Sequence, residues 1–186
     1  MIHIIEFDEQ YTADFRRLNL EWLEKYELLE SHDLVVLDDP RGNVLERGGF
    51  IYLALSTPEP PSAQASPSSP TSQTVPGSPA SQASPGQLSP AGQIIGTAAL
   101  IHEHDDVYEL AKMSVDPAFR GRGISKLLIG QCLQKAREIG ASKLTLWSNS
   151  QLQTAIQLYT QYGFQHVPVV DSPFVTADVK MELQFP

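Results

Sequence analysis

The sequence predicts an α/β fold, and three observations predict it. Strand-like and helix-like runs alternate in the order β-α-α-β-β-β-α-β-α-β-β. A strand-like run from Tyr108 to Val115 passes through a tight, glycine-bearing turn into a helix-like run from Ile124 to Gly140. Between two β-rich runs, residues 57–92 change so sharply in composition that they read as an insertion rather than as core.

Ile2 to Phe7 is expected as a short strand. Thr12 to Glu30 follows as a helix, with Phe15, Leu18, Trp22 and Leu23 near one face. Ser31 and Asp33 are candidate caps of a shorter helix ending near Asp38, and Pro40 and Gly42 then break the chain. Phe50 to Leu55 is β-rich. From Thr57 to Gly92 come nine of the 14 prolines, with Ser, Ala and Gln filling most of the rest and no aromatic residue. Such a segment buries too little apolar surface to offset its ordering entropy, so disorder with some polyproline character is expected. A long loop at a surface hairpin costs little, because closure entropy grows only logarithmically with length.

Strand character resumes at Ile94 to Ile101, with a polar turn at Glu103 to Asp106 and a strand from Val107 to Val115. A helix is expected from about Gly121 to Ile139, with the apolar stripe Ile124, Leu127, Leu128, Cys132, Ala136 and Ile139 and a stop at Gly140. Lys143 to Trp147 reads as a strand and Gln151 to Tyr162 as a helix closed by Gly163. Phe164 to Val170 and Val175 to Leu183 complete the set as strands.

The 186 residues suit one domain, 1–186, with 57–92 as a disordered insertion inside it, and 41% hydrophobic content is enough for a packed core. A formal charge of −9 argues against a nucleic-acid or anionic-membrane binder. Cys132 is the sole cysteine, so no intrachain disulfide can form; on the apolar stripe it reads as core rather than as a nucleophile. Met1 to Asp8 lacks the basic start and long apolar centre of a signal peptide, and no apolar run nears the ~18–20 residues of a membrane span. A cytoplasmic location is expected.

The richest segment is Val115-Asp116-Pro117-Ala118-Phe119-Arg120-Gly121-Arg122-Gly123-Ile124-Ser125. A glycine turn opening a helix presents free N–H groups and the positive end of the helix dipole together, which suits a phosphate or pyrophosphate. Two arginines can add charge-assisted hydrogen bonds. The dinucleotide fingerprint fails for want of a third glycine, and a Walker loop fails for want of Gly-Lys-Ser/Thr. The spacing Arg120-x-x-Gly123-x-Ser125 instead resembles the acetyl-coenzyme A signature of the GNAT N-acetyltransferases, Gln/Arg-x-x-Gly-x-Gly/Ala, with Ser125 departing at the last position. Glu109 to Val115 resembles the family's fourth strand and Leu144 to Asn149 its fifth. Ala155-x-x-Leu158-Tyr159-x-x-Tyr162-Gly163-Phe164 resembles its second motif. Phe15-x-x-Leu18-Asn19-x-Glu21-Trp22 and Gly48-Gly49-Phe50 are similar to one prokaryotic-type branch.

The resemblance implies a GNAT fold: a mixed, mostly antiparallel, splayed sheet flanked by helices on both faces, with the insertion in the hairpin between its second and third strands. It implies an acyltransferase moving acetyl from acetyl-CoA to a primary amine of a small molecule or peptide by direct attack. Arg120, Gly121, Arg122, Gly123, Ile124 and Ser125 would hold the pyrophosphate, and Met113 and Val115 would lie along the pantetheine arm. Asn149, at the end of the fifth strand, is a candidate for bonding the same arm. An oxyanion-stabilising N–H is implied near Val115, where the family's fourth strand bulges. Tyr159 is the implied acid for the thiolate; its other reading is a core tyrosine on the stripe Leu152, Ala155, Ile156 and Tyr159. Glu109, eleven residues before Arg120, is the candidate base, or else a strand-end glutamate paired with a cation. Strand alternation places Glu109, Ala111, Met113 and Val115 on one face. Trp22 and Tyr26 either wall the acceptor pocket or pack their helix. The polar cluster His102 to Asp106 reads as a turn, and no metal is expected. Neither nucleic acid nor membrane is an expected partner, and a homodimer is left open. The alternatives are a non-catalytic acyl-CoA sensor and an interaction scaffold built on the Pro/Ser-rich insertion.

Overall fold

The computed structural model describes residues 1–58 and 92–186; nearly all of the expected insertion lies outside the described residues. Seven strands form one sheet: β1 (Ile2–Glu6), β2 (Phe50–Ser56), β3 (Gln93–His104), β4 (Val107–Val115), β5 (Lys143–Ser148), β6 (Gln165–Val167) and β7 (Val179–Gln184). Their order is β1-β2-β3-β4-β5-β7-β6, and every neighbouring pair is antiparallel except β4 and β5. Among the described residues four α-helices accompany the sheet: α1 (Thr12–Lys25), α2 (Ser31–Asp38), α3 (Ile124–Glu138) and α4 (Gln153–Gln161). Ser56 pairs with Gln93, so residues 57–92 connect two adjacent antiparallel strands.

Two apolar layers cover the sheet. On one face Phe15, Leu18 and Leu23 of α1 and Val36 and Leu37 of α2 pack against Ile51, Leu53 and Ala99. On the other, Ile124, Leu128, Ile129, Cys132, Leu133 and Ala136 of α3, with Ile156 and Tyr159 of α4, pack against Ile95, Leu100, Leu110 and Leu146. Cys132 is fully buried, in accord with its core reading.

Several boundaries differ from the sequence reading, each for a physical reason. The first helix stops at Lys25 rather than Glu30, because Glu27 turns left-handed (φ 56°) and Leu28 N–H bonds back to the Leu23 carbonyl at 2.8 Å. α2 is capped through Asp33, whose carboxylate accepts the Glu30 N–H at 3.0 Å, and not through Ser31. α3 begins at Ile124, since Gly121 and Gly123 both have positive φ. Its stripe rotates by a residue: Leu127 is exposed, while Ile129 and Leu133 are buried. β3 continues to His104, leaving a tight turn at Asp105 and Asp106. The last strands are shorter than expected. β6 ends at Val167 before Pro168, and the chain up to Val179 is a loop tied by side-chain hydrogen bonds to Glu30 and Ser150. No helix among the described residues is long and apolar enough to cross a membrane.

Candidate active site

β4 and β5 pair only over Val107 to Glu109 and Lys143 to Thr145. Beyond Glu109 they diverge, so the edge of β4 that faces β5 is unpaired from Leu110 to Val115. Parallel neighbours that part in this way leave a row of backbone donors and acceptors for an extended ligand. A cleft of about 790 Å³ occupies the split, lined by β4, the turn after it, the end of β5, α4 and the loop before β7.

The turn is built for an anion. Asp116 accepts the Ala118 N–H at 3.0 Å and closes a 3₁₀ turn, Pro117–Phe119, that carries the chain out of the sheet. Arg120 is steadied by its Nε–H donating to the Val115 carbonyl at 3.2 Å. Gly121 (φ 76°) and Gly123 (φ 78°) then take left-handed backbone, and a Cβ built on either meets nothing within 4 Å. The N–H groups from Gly121 to Ser125 have no hydrogen-bond partner among the described residues, and they converge at the start of α3. Open space, unsatisfied donors and the positive helix end coincide, which fits a pyrophosphate. Arg122 lies at the rim, stacked on Phe119 at 4.9 Å, and does not line the cleft.

A bulge decides what faces where. Thr97 pairs with Ser114 and Ala99 with Ala111, so Lys112 and Met113 together oppose Ala98. Lys112 has φ 53°. The alternation expected along β4 breaks here. Glu109 pairs with Ile101 and Ala111 with Ala99, both on the α1/α2 side, whereas Met113 and Val115 pack on the α3 side. The four therefore do not share a face. The bulge lies at Lys112 and Met113, two residues before Val115. Buried hydrogen bonds hold it: Thr97 Oγ1–H to the Lys112 carbonyl (2.7 Å), Asn19 Nδ2–H to Thr97 Oγ1 (3.1 Å) and Ser114 Oγ–H to the Leu18 carbonyl (2.7 Å).

Within the cleft, burial raises the Glu109 carboxyl from an ordinary value near 4.5 to about 7, against the opposing pull of the Lys112 charge. Tyr159 is 8% exposed, and its ring meets Phe164 edge-on at 6.0 Å. Burial pushes its phenol well above the usual range, and no described group hydrogen-bonds it. Asn149 lines the cleft, but its side chain is engaged: Nδ2–H donates to the Thr176 carbonyl at 2.7 Å, and Oδ1 accepts the Gln151 N–H at 3.0 Å.

Residues 72–164, half of the chain, match the model of the acetyltransferase (GNAT) family. The chain belongs to the GNAT acetyltransferase family. The uncharacterized N-acetyltransferase YjgM of Escherichia coli K12 is 37% identical over 79 residues, which are 41% of this chain and 47% of that protein. The N-acetylaspartate synthetase of Xenopus tropicalis is 39% identical over 85 residues, 45% of this chain and 31% of that protein. The matches thus span less than half the length of these relatives. Among solved structures, a GNAT-family acetyltransferase from Staphylococcus aureus Mu50 superposes with a TM-score of 0.74 at 20% identity, over 99% of both chains.

Against that GNAT frame, the structure brings Glu109, Met113, Val115, Arg120, Gly121, Gly123, Ile124, Ser125, Asn149 and Tyr159 to one cleft. Trp22 and Tyr26 line it too, so they wall the cleft as well as packing α1. His102 and His104 bond only to Asp105 in their turn, and no group of three or more metal-ligating side chains occurs among the described residues. Sequence reasoning missed the buried ion pair of Asp33 and Lys112 on the cleft wall. It also missed Phe174, packed edge-on to His32 at 5.3 Å and to Trp147 at 6.3 Å, and Glu30, whose carboxylate accepts from Val175 N–H, Thr176 N–H and Thr176 Oγ1–H. These pairs join residues too far apart in sequence for any local pattern to show them.

Proposed function

We propose that the protein transfers acetyl from acetyl-CoA to the primary amine of a small molecule or peptide. The observation that carries this reading is the run of unpartnered N–H groups from Gly121 to Ser125 at the mouth of the β4–β5 split. Those donors would hold the pyrophosphate, with Arg120 adding charge, and the free edge of β4 would pair with the pantetheine arm. The side chain of Asn149 is already bonded, so any contact from that residue to the arm would use its backbone.

The chemistry then divides among residues of this chain. Glu109, raised toward neutrality, takes a proton as the amine nitrogen attacks the thioester carbon. An N–H on the unpaired edge of β4 donates a hydrogen bond to the developing oxyanion, a contribution typically worth about 10²–10³ in rate. As the carbon–sulfur bond breaks, Tyr159 gives its proton to the thiolate.

Acetyl-CoA is expected to raise the melting temperature. A ligand at a hundredfold excess over Kd adds about 2.7 kcal/mol, which is roughly 5–10 °C for a chain of this size. In Gly123→Val the shift should vanish, because the side chain would project from φ 78° into the space the donors face. A side chain in left-handed backbone also costs roughly 1–2 kcal/mol, so the unliganded variant should melt lower. An unchanged ligand shift in that variant would remove the turn from the binding site.

For Glu109 as base, kcat/KM should rise with pH through about 7, and Glu109→Gln should lose that limb. Stability supplies a separate reading. The folded carboxyl ionises near 7 and the unfolded one near 4.5, so the wild type loses stability as pH rises across that window. The glutamine variant should not show that decline. An identical pH–rate profile in the variant would end the base assignment.

A further inference from the structure

On the reading that this cleft transfers acetyl, we infer that the acceptor is a primary amine on an aromatic or apolar body with no free carboxylate. The α1/α2 side of the split receives it. There the walls are Trp22, Tyr26, Leu28, Trp147 and Phe174. Flat rings of this kind take an aromatic or apolar body. Two acidic side chains, Asp33 and Glu109, line this side, against one cation, Lys112.

That cation is already spent. Lys112 and Asp33 form an ion pair in which each side chain is 7% exposed, so no net positive charge faces the acceptor. The other cations that line the cleft, Arg120 and Lys126, belong to the turn and to α3. Lys25, His32 and Lys180 lie against the rings of Tyr26, Phe174 and Trp147, and none of them lines the cleft. Residues 59–91 contain no Lys, Arg or His, so the sequence there holds no cation to match a carboxylate. Burying a carboxylate with no cation free to pair it, beside Glu109, is costly, whereas an ammonium group loses its charge by giving a proton to Glu109.

The test uses the full chain, acetyl-CoA and three pairs of amines that differ by one carboxylate: phenethylamine and phenylalanine, tyramine and tyrosine, tryptamine and tryptophan. Release of free thiol is measured for each. The expected result is a kcat/KM at least tenfold higher for the member without the carboxylate in at least one pair. In Asp33→Asn the Lys112 ammonium loses its counter-charge, and the ratio should fall at least tenfold toward the carboxylated member. If that variant is insoluble, Trp22→Ala serves instead and should raise KM for tryptamine more than it lowers kcat. Equal or better turnover of the amino acids by the wild type overturns the inference. So does a lack of turnover of all six compounds while acetyl-CoA still shifts the melting temperature, and acetyl transfer then stands with another acceptor. Failure of acetyl-CoA to bind at all overturns the underlying function.

Discussion

Tyr159→Phe is expected to lower turnover by about 10²–10⁴, the usual span for a general acid, with little change in coenzyme affinity or melting temperature. The ring is buried against Phe164 and would stay there in the variant. No described group bonds the hydroxyl, so removing it strands no partner. Burial keeps the phenol protonated at neutral pH, which is the state a donor to a departing thiolate needs. The loss should fall toward the lower end, since a thiol's reference pKa of ~8.5 already makes thiolate a tolerable leaving group. Single-turnover rates with a good acceptor are the measurement, because product release would mask a chemical step. Full activity at chemistry-limited rates would return Tyr159 to a packing role.

The order of elements was legible because each transition has a local cause. α3 and α4 stop where Gly140 (φ 71°) and Gly163 (φ 93°) allow the chain to reverse, and those glycines mark both stops in the sequence. α1 ends through the same backbone geometry but with Glu27 in the left-handed position, so nothing in the composition marks the stop and the helical pattern runs on to Glu30. A glutamate there is strained, and the burial of Leu28 beyond the turn supplies the compensation. The bulge in β4 escaped for a similar reason. Lys112 is an ordinary strand residue by type, and its left-handed backbone is imposed by Thr97, Asn19 and Asp33, all distant in sequence.

The site divides along the same line. The anion-binding turn is contiguous, so its glycines, arginines and helix start were visible together. The acceptor side is assembled from α1, α2, β5 and the loop before β7, and no single segment announces it. Motif spacing singles out Tyr159 and Glu109, and both line the cleft.

Asp33→Ala is expected to be the most destabilising single change in the cleft wall. It leaves the Lys112 ammonium without its partner at a position 9% exposed, and breaking a buried pair this way costs about 3–5 kcal/mol. It also removes the acceptor of the Glu30 N–H at the start of α2, worth roughly 1 kcal/mol as a lost cap. Typical domains have only about 5–15 kcal/mol in total. At roughly 2–4 °C per kcal/mol, the melting temperature should fall by about 10 °C or more. Lys112→Met should cost less, because the stranded carboxylate keeps the Glu30 N–H and sits in the first turn of α2, where the helix dipole favours negative charge. The double variant Asp33→Ala/Lys112→Met, with neither charge left to desolvate, should recover most of the loss apart from the cap. Thermal melts of the four proteins complete the cycle. A drop below about 2 °C for Asp33→Ala alone would show that Lys112 reaches water or another partner, and the neutral acceptor wall would then lose its foundation.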